Sequence, residues 1–194
     1  PDPGFPTYPA MIEVAGGTPV PVPLSEENDF SFDLETFDRL VNERTRLVVL
    51  NSPSNPTGGV MPLSALEHIA AAAQRFSFWV MSDEIYSRLV YGAPAPSIAN
   101  LPGMADRTVV CDGFSKTYAM TGWRLGYGIM PPALAERVEL LLTHSIGCTA
   151  SFTQIAGLKA VRGTQQPVDL VVAEYLRRRD MLVAGLNAIP GVTC

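Results

Sequence analysis

Short apolar runs alternate along the chain with longer segments that carry helix signals. The run LVVL at 47–50 is apolar and rich in β-branched residues, which predicts a buried strand. With three further runs, the predicted strands cover residues 47–51, 78–82, 108–112 and 125–130. Apolar residues at helical spacing, and prolines of the kind favoured in a first turn, predict helices at 34–42, 62–75, 131–143, 151–162 and 167–187.

The alternation of strands and helices predicts the fold class. Strands separated by helices form a mostly parallel sheet that is covered on both faces, so we expect an α/β domain. In such sheets the ligands bind at the carboxyl ends of the strands. Polar residues that directly follow the predicted strands are therefore candidates for a functional site.

The segment GFSKTYAMTGWRLGY at 113–127 is the most specific feature of the chain. It sets Lys116 among small and apolar residues, and Arg124 is the next basic residue. A lysine amine is a useful nucleophile only when enough of it is neutral, and apolar surroundings favour the neutral form. An arginine suits a permanent anion such as a phosphate, because its planar fork donates several hydrogen bonds. Pyridoxal 5'-phosphate (PLP), an aldehyde with a phosphate tail, needs both groups.

This segment resembles the PLP-lysine signature of class I and II aminotransferases, and it is most similar to the aspartate aminotransferase-like branch. The alternative is a buried lysine on a glycine-rich bend before a strand. The resemblance covers nearly the whole chain and implies the large domain of a fold type I PLP enzyme. It also implies that Lys116 holds PLP as a Schiff base and later acts as the general base, while Arg124 holds the phosphate.

Two further motifs follow predicted strands: NSPSNPTGG at 51–59 and SDEIY at 82–86. A carboxylate at a strand end can keep a pyridine nitrogen protonated, which makes PLP a better electron sink. The resemblance assigns that role to Asp83, and it implies that Asn55 and Tyr86 bind the phenolic oxygen of the cofactor. Taken alone, the first motif also suits a simple strand-to-helix turn, and Asp83 also suits a helix N-cap. The order of the motifs between residues 55 and 124 favours the cofactor site.

Two other assignments come from the resemblance. The opening segment PGFPTYP at 3–9 looks like the part of the family that carries an aromatic ring stacked on the cofactor. The spacing favours Phe5 for this role and leaves Tyr8 second, although both rings could be ordinary core or loop aromatics. Many relatives have serine three positions before the lysine, where it binds the phosphate, but this chain has Gly113. A backbone donor or Ser115 is then expected to serve as the phosphate ligand.

Composition narrows the class of protein further. The chain has 194 residues, of which 47 % are hydrophobic and 17 % charged, and its net charge of −5 gives no support for nucleic-acid binding. No apolar run reaches the ~18 residues of a membrane helix. The cysteines and the two histidines have no metal-binding spacing, so no metal is expected. Together with the resemblance, these features suggest a cytoplasmic enzyme.

The chain ends influence the domain assignment. The sequence begins at Pro1 and stops at Cys194, soon after a predicted turn into a strand. The resemblance implies that residues 1–186 form most of the large PLP-binding domain, without its N-terminal part, and that residues 187–194 open the small domain. It also implies a homodimer whose subunits share the active sites.

The resulting hypothesis is an aminotransferase that moves an amino group from an amino acid to a 2-oxo acid. Three alternatives stay open at this point. The same cofactor residues would serve another PLP reaction, such as elimination by a C–S lyase. An aminotransferase-like domain of a transcription regulator would bind PLP without turnover. A nucleotide-binding α/β module is the third, although the chain contains neither a P-loop nor a Gly-x-Gly-x-x-Gly motif.

Overall fold

A four-stranded sheet runs through the centre of the computed structural model, which describes residues 1–194. Its strands lie side by side in chain order: β1 (Leu47–Asn51), β2 (Trp79–Asp83), β3 (Thr108–Gly113) and β4 (Gly126–Ile129). β2 is parallel to β1 and to β3, whereas β4 is antiparallel to β3. The mostly parallel α/β sheet predicted from the sequence is confirmed. The connection from β3 to β4, residues 114–125, contains no α-helix that would cross the sheet, and β4 pairs with β3 in the opposite direction.

Six α-helices accompany the sheet: α1 (Thr7–Val14), α2 (Leu34–Leu40), α3 (Leu63–Phe76), α4 (Pro132–Ser145), α5 (Ser151–Arg162) and α6 (Gln166–Asn187). The five predicted helices are confirmed with shifts of one or two residues at their ends. The sequence did not predict α1, because its segment is rich in proline. Pro9 lies in the first turn of α1, where its missing N–H is not needed. None of the helices combines the length and the apolar character that crossing a bilayer requires.

The main core lies between α3 and one face of the sheet. Apolar side chains recur at helical spacing along α3, and Ile69 and Ala73 are fully buried there. They belong to a cluster of 16 buried residues that also contains Leu50 of β1 and Val80 of β2. Burial of this stripe fixes the parallel strands β1 and β2 against one helix. The strands that end at Asn51 and Asp83 are therefore anchored in the main core.

The chain after α6 differs from its prediction. Asn187 ends the helix and exchanges two hydrogen bonds with the backbone of Cys194, at 2.8 and 3.2 Å. Residues 188–191 form the predicted turn, but residues 192–194 form no strand, because no neighbouring strand pairs with them. The domain boundary at residues 186–187 stays a prediction.

Helix α5 packs on the turn between β3 and β4 through a glycine. A Cβ atom at Gly157 would contact the Leu125 side chain and would lie 3.2 Å from Cζ of Phe114. Phe114 is buried and lies two residues before Lys116. The close approach of α5 to this turn therefore requires a residue without a side chain.

We expect Gly157→Val to destabilise the protein by about 1–3 kcal/mol, because the added methyl groups overpack the contact with Phe114. Urea unfolding of the two proteins measures this difference. Gly185→Ala in α6 is the control, since no atom lies within 4 Å of its Cβ position and alanine favours a helix. Equal unfolding midpoints for Gly157→Val and the wild type would contradict the packing described here.

Candidate active site

The motifs singled out in the sequence meet at the carboxyl edge of the parallel strands. The register pairs Asn51 at the end of β1 with Asp83 at the end of β2, and it pairs Asp83 with Cys111 of β3. Gly113 ends β3 two residues later and leads into the turn that carries Lys116. Open α/β sheets bind their ligands at this edge.

Asp83 is held by three hydrogen bonds. Its Oδ2 accepts from the hydroxyl of Tyr8 at 2.6 Å, and its Oδ1 accepts from the backbone N–H of Ile85 at 3.2 Å. Its carbonyl oxygen accepts from the side-chain amide of Asn51 at 3.1 Å. The side chain is half-buried at the strand end, so one fixed carboxylate faces the edge where the other motifs lie.

The two aromatic candidates of the opening segment have different surroundings. Burial, followed by the hydrogen bond to Asp83, raises the pKa of Tyr8, which therefore stays a protonated donor at neutral pH. The Phe5 ring lies edge-on to the Tyr8 ring, with centroids 5.8 Å apart, and it is 43 % exposed. Tyr8 is committed to Asp83, whereas Phe5 offers an accessible ring beside it. Sequence reasoning missed the bond to Asp83, because no local pattern links residues 75 positions apart.

Asn55 is tied to Asp83 through Asn51. The side-chain oxygen of Asn51 accepts from the backbone N–H of Asn55 at 2.8 Å, while its amide donates to Asp83. The side chain of Asn55 makes no hydrogen bond within the chain, so its amide is free to bind a ligand. Sequence reasoning gave Asn51 no role, although it is the first residue of the NSPSNPTGG motif and 6 % exposed.

Lys116 and Tyr86 also lie close together. Nζ of Lys116 is 5.6 Å from the centroid of the Tyr86 ring. Backbone hydrogen bonds from Tyr118 to Phe114 and from Ala119 to Lys116 shape the turn that presents the lysine. Lys116 is half-buried and forms no salt bridge, so its amine is not committed to a carboxylate of the chain. Such an amine remains available for covalent chemistry.

Ser115 and Arg124 line a cavity of about 210 Å³ at the start and end of the lysine turn; its walls also include Ile85, Asp112, Gly113, Leu125 and Gly126. One guanidinium nitrogen of Arg124 donates to the carbonyl of Thr121 at 2.9 Å, which leaves other donors of the fork free. The arginine backbone has a φ of 52°, in the left-handed region. Strained positions of this kind cluster at ligand sites.

Asp112, an acidic residue to which sequence reasoning gave no role, also lines this cavity. Its Oδ2 accepts from the hydroxyl of Tyr127 at 2.9 Å, and its Oδ1 accepts from the backbone N–H of Gly113 at 2.6 Å. Burial raises the pKa of the Asp112 carboxyl. Burial, together with the hydrogen bond between the two side chains, raises the pKa of Tyr127 to about 12. The N–H of Gly113 is thus occupied by Asp112, so Ser115 and Arg124 are the stronger candidates for binding an anion.

A larger groove of about 650 Å³ lies on the other side of Arg124, between the lysine turn and the segment before α5. Trp123, Cys148 and Phe152 contribute to its walls, and Arg124 is its one charged residue. The smaller cavity is the better candidate for binding an anion, because it combines Arg124 with the hydroxyl of Ser115 and with the end of β3.

Comparison with known proteins identifies the family. The family model described as aminotransferase class I and II matches residues 1–194, and the chain belongs to this family. Members of this family use PLP. The chain is 40 % identical over 195 residues to the aspartate aminotransferase of Musicola paradisiaca, covering 100 % of this chain and 49 % of that protein.

Two further relatives are also named aminotransferases. The aromatic-amino-acid aminotransferase 2 of Thermococcus litoralis is 40 % identical over 190 residues, which cover 96 % of this chain and 49 % of the relative. The crystal structure of an aromatic aminotransferase from Pyrococcus horikoshii superposes with a TM-score of 0.92 at 39 % identity, covering 95 % of this chain and 50 % of that one. The fold is therefore that of the fold type I aminotransferases. The chain spans about half the length of the curated relatives it matches.

The close approach of β3 and β4 gives a physical reason for Gly113. A Cβ atom there would lie 3.0 Å from Cα of Gly126, 3.1 Å from the carbonyl oxygen of Leu125 and 3.3 Å from Cδ1 of Ile85. The first two are backbone atoms, which cannot turn away as a flexible side chain can. Any side chain at position 113 must therefore move the two strands apart.

We expect Gly113→Ser to destabilise the protein by about 1 kcal/mol and to weaken cofactor binding, because β3 and β4, which flank the turn that carries Ser115 and Arg124, must separate. Urea unfolding and a PLP titration measure the two effects. Gly122→Ser in the same turn is the control, since its Cβ position has no atom within 4 Å. Tighter PLP binding by Gly113→Ser would mean that the site accepts a serine ligand there without strain.

Proposed function

We propose that the protein containing this chain is a PLP-dependent aminotransferase, which moves an amino group from an amino acid to a 2-oxo acid. The observation that carries the proposal is the alignment of a fixed carboxylate, an uncommitted lysine and an arginine-lined cavity at one edge of the sheet. Relatives named for aspartate and for aromatic amino acids support amino-acid substrates.

The residues at this edge fit the cofactor. PLP requires an amine, a partner for the ring nitrogen, donors for the phenolic oxygen and cations or hydroxyls for the phosphate. Lys116 supplies the amine and Asp83 the partner for the ring nitrogen. Asn55 and Tyr86 supply the donors for the phenolic oxygen. Ser115 and Arg124 supply the phosphate ligands in their shared cavity, and Phe5 offers its exposed ring for stacking.

Each residue then has a defined part in transamination. When bound, PLP supplies an electron sink for the electrons left when the α-proton of the amino acid is removed. Lys116 Nζ would hold the cofactor covalently, and its free amine would act as the base that removes and returns this proton. Asp83 would stabilise the charge that develops at the ring nitrogen of the cofactor, because its carboxylate is fixed in position before the reaction begins.

The other functions that the sequence allowed gain no support from the relatives. The three relatives described above are named aminotransferases, and none is named a lyase or a regulator. The homodimer is part of the proposal, and its support is the apolar surface of α4, where Leu141 is 66 % exposed and no residue is buried. The cytoplasmic location stays a prediction.

The proposal is tested in the full-length protein by borohydride reduction with PLP, followed by peptide mapping. Residues 1–194 contain two lysines, Lys116 and Lys159, and peptide mapping distinguishes a label on either of them from a label elsewhere in the full-length protein. We expect a visible or near-ultraviolet cofactor band, covalent label on Lys116, and transfer of amino groups from common amino acids to 2-oxoglutarate. Lys116→Ala should lose the label and lower transamination by at least about 100-fold, since it removes both the anchor and the base.

Lys159→Ala is the matched control. Lys159 lies in the last turn of α5, so this variant should keep both the label and the activity. Label on Lys159 in the wild-type protein, or no label on either lysine, would contradict the proposed role of Lys116. Label on Lys116 without transfer to any 2-oxo acid would instead favour another PLP reaction.

A further inference from the structure

We propose that Tyr8 is a positioning residue, which orients the Asp83 carboxylate and holds the first turn of α1, with Phe5, against the site. The inference rests on the proposed function, because its consequence for the reaction acts through the cofactor partner Asp83. Its structural basis is the 2.6 Å hydrogen bond from the Tyr8 hydroxyl to Oδ2 of Asp83.

Tyr8 completes the support of the carboxylate. The backbone N–H of Ile85 donates to Oδ1 of Asp83, and Tyr8 donates to Oδ2, so each oxygen has one donor. Two donors on different oxygens fix the plane of a carboxyl group, whereas Ile85 alone would allow Asp83 to turn about one contact. Each oxygen keeps a further lone pair with which it can accept from a ligand.

The two hydrogen bonds to the Asp83 side chain also suit an ionised carboxylate. An ionised carboxylate only accepts hydrogen bonds, and both of its partners here are donors. Burial and the bond itself raise the pKa of Tyr8, so its hydroxyl remains a donor throughout the physiological range. Tyr8 can therefore donate to an ionised Asp83 throughout this range.

The same bond secures the stacking candidate. Helix α1 has no buried residue, so apolar packing does little to hold its first turn on the sheet. The backbone N–H of Tyr8 donates to the carbonyl of Phe5 at 3.1 Å, and the two rings make an edge contact. When the hydroxyl of Tyr8 releases Asp83, we expect Phe5 to lose its position as well.

The first test uses the cofactor-free protein and does not depend on catalysis. Tyr8→Phe keeps the ring and removes only the hydroxyl, and Asp83→Ala removes the acceptor. We expect each change to lower the urea unfolding midpoint, and we expect Tyr8→Phe to have little further effect in the Asp83→Ala background. If the effects of Tyr8→Phe and Asp83→Ala on the unfolding midpoint were fully additive, the hydrogen bond between Tyr8 and Asp83 would not be a stabilising contact.

The second test uses the holoprotein with PLP labelled at the ring nitrogen. We expect Tyr8→Phe to move the nitrogen NMR signal towards that of an unprotonated pyridine, and to lower kcat by about 10-fold with a smaller change in KM. Tyr175→Phe is the control, because this tyrosine lies on α6, is 42 % exposed and forms no hydrogen bond through its hydroxyl.

The outcomes separate this inference from the proposed function. A Tyr8→Phe holoprotein with the wild-type nitrogen signal and kcat would overturn the role of Tyr8 while leaving the aminotransferase proposal intact. A wild-type protein that does not hold PLP on Lys116 would overturn the proposed function, and the role of Tyr8 towards the cofactor would fall with it.

Discussion

The parallel register of β1, β2 and β3 is the constraint on which the candidate site depends. It aligns Asn51, Asp83 and Cys111 across neighbouring strands, so that the segments after these strands leave the sheet at one edge. Asn55 and Tyr86 lie on two of those segments, and Lys116 lies on the third. A shift of one residue in either pairing would turn Asp83 to the opposite face of the sheet. Apolar packing of α3 against β1 and β2 resists such a shift.

Asp83 is the residue at which these segments are connected by hydrogen bonds. Asn51 connects it to the segment of Asn55, and Tyr8 connects it to the first turn of α1. Three distant parts of the chain are thus joined at Asp83, whose carboxylate is held by Tyr8 and by the backbone N–H of Ile85 before any ligand arrives. Preorganised charge is effective in catalysis because little reorganisation is needed when charge develops in the transition state.

The sequence predicts the fold and the main site residues because their signals are local. The apolar run at 47–50 and the spacing of Ile69 and Ala73 depend only on neighbouring residues, as does the segment around Lys116. The site assignments themselves rest on a family resemblance, and the structure adds that the assigned residues lie at one edge of the sheet. Their chemical roles stay predictions until a cofactor is observed.

The features that the sequence could not supply depend on contacts between distant residues. The bond from Tyr8 to Asp83 and the pairing of Asp112 with Tyr127 have no sequence pattern of their own. Helix α1 was missed because proline usually argues against a helix, although a first turn tolerates it. The requirement for Gly113 became clear only from the distance to the backbone of Gly126.

The most direct test of the account is the rate of α-proton removal in Asp83→Asn of the full-length protein loaded with PLP. Single-turnover reactions with α-deuterated and ordinary amino acids isolate this step. We predict a fall of about 10²–10³-fold, as for the loss of other preorganised electrostatic groups, while the cofactor remains on Lys116. Asp169→Asn on exposed α6 should react at the wild-type rate. A near-wild-type rate in Asp83→Asn would contradict the account and reduce Asp83 to a structural residue at the end of β2.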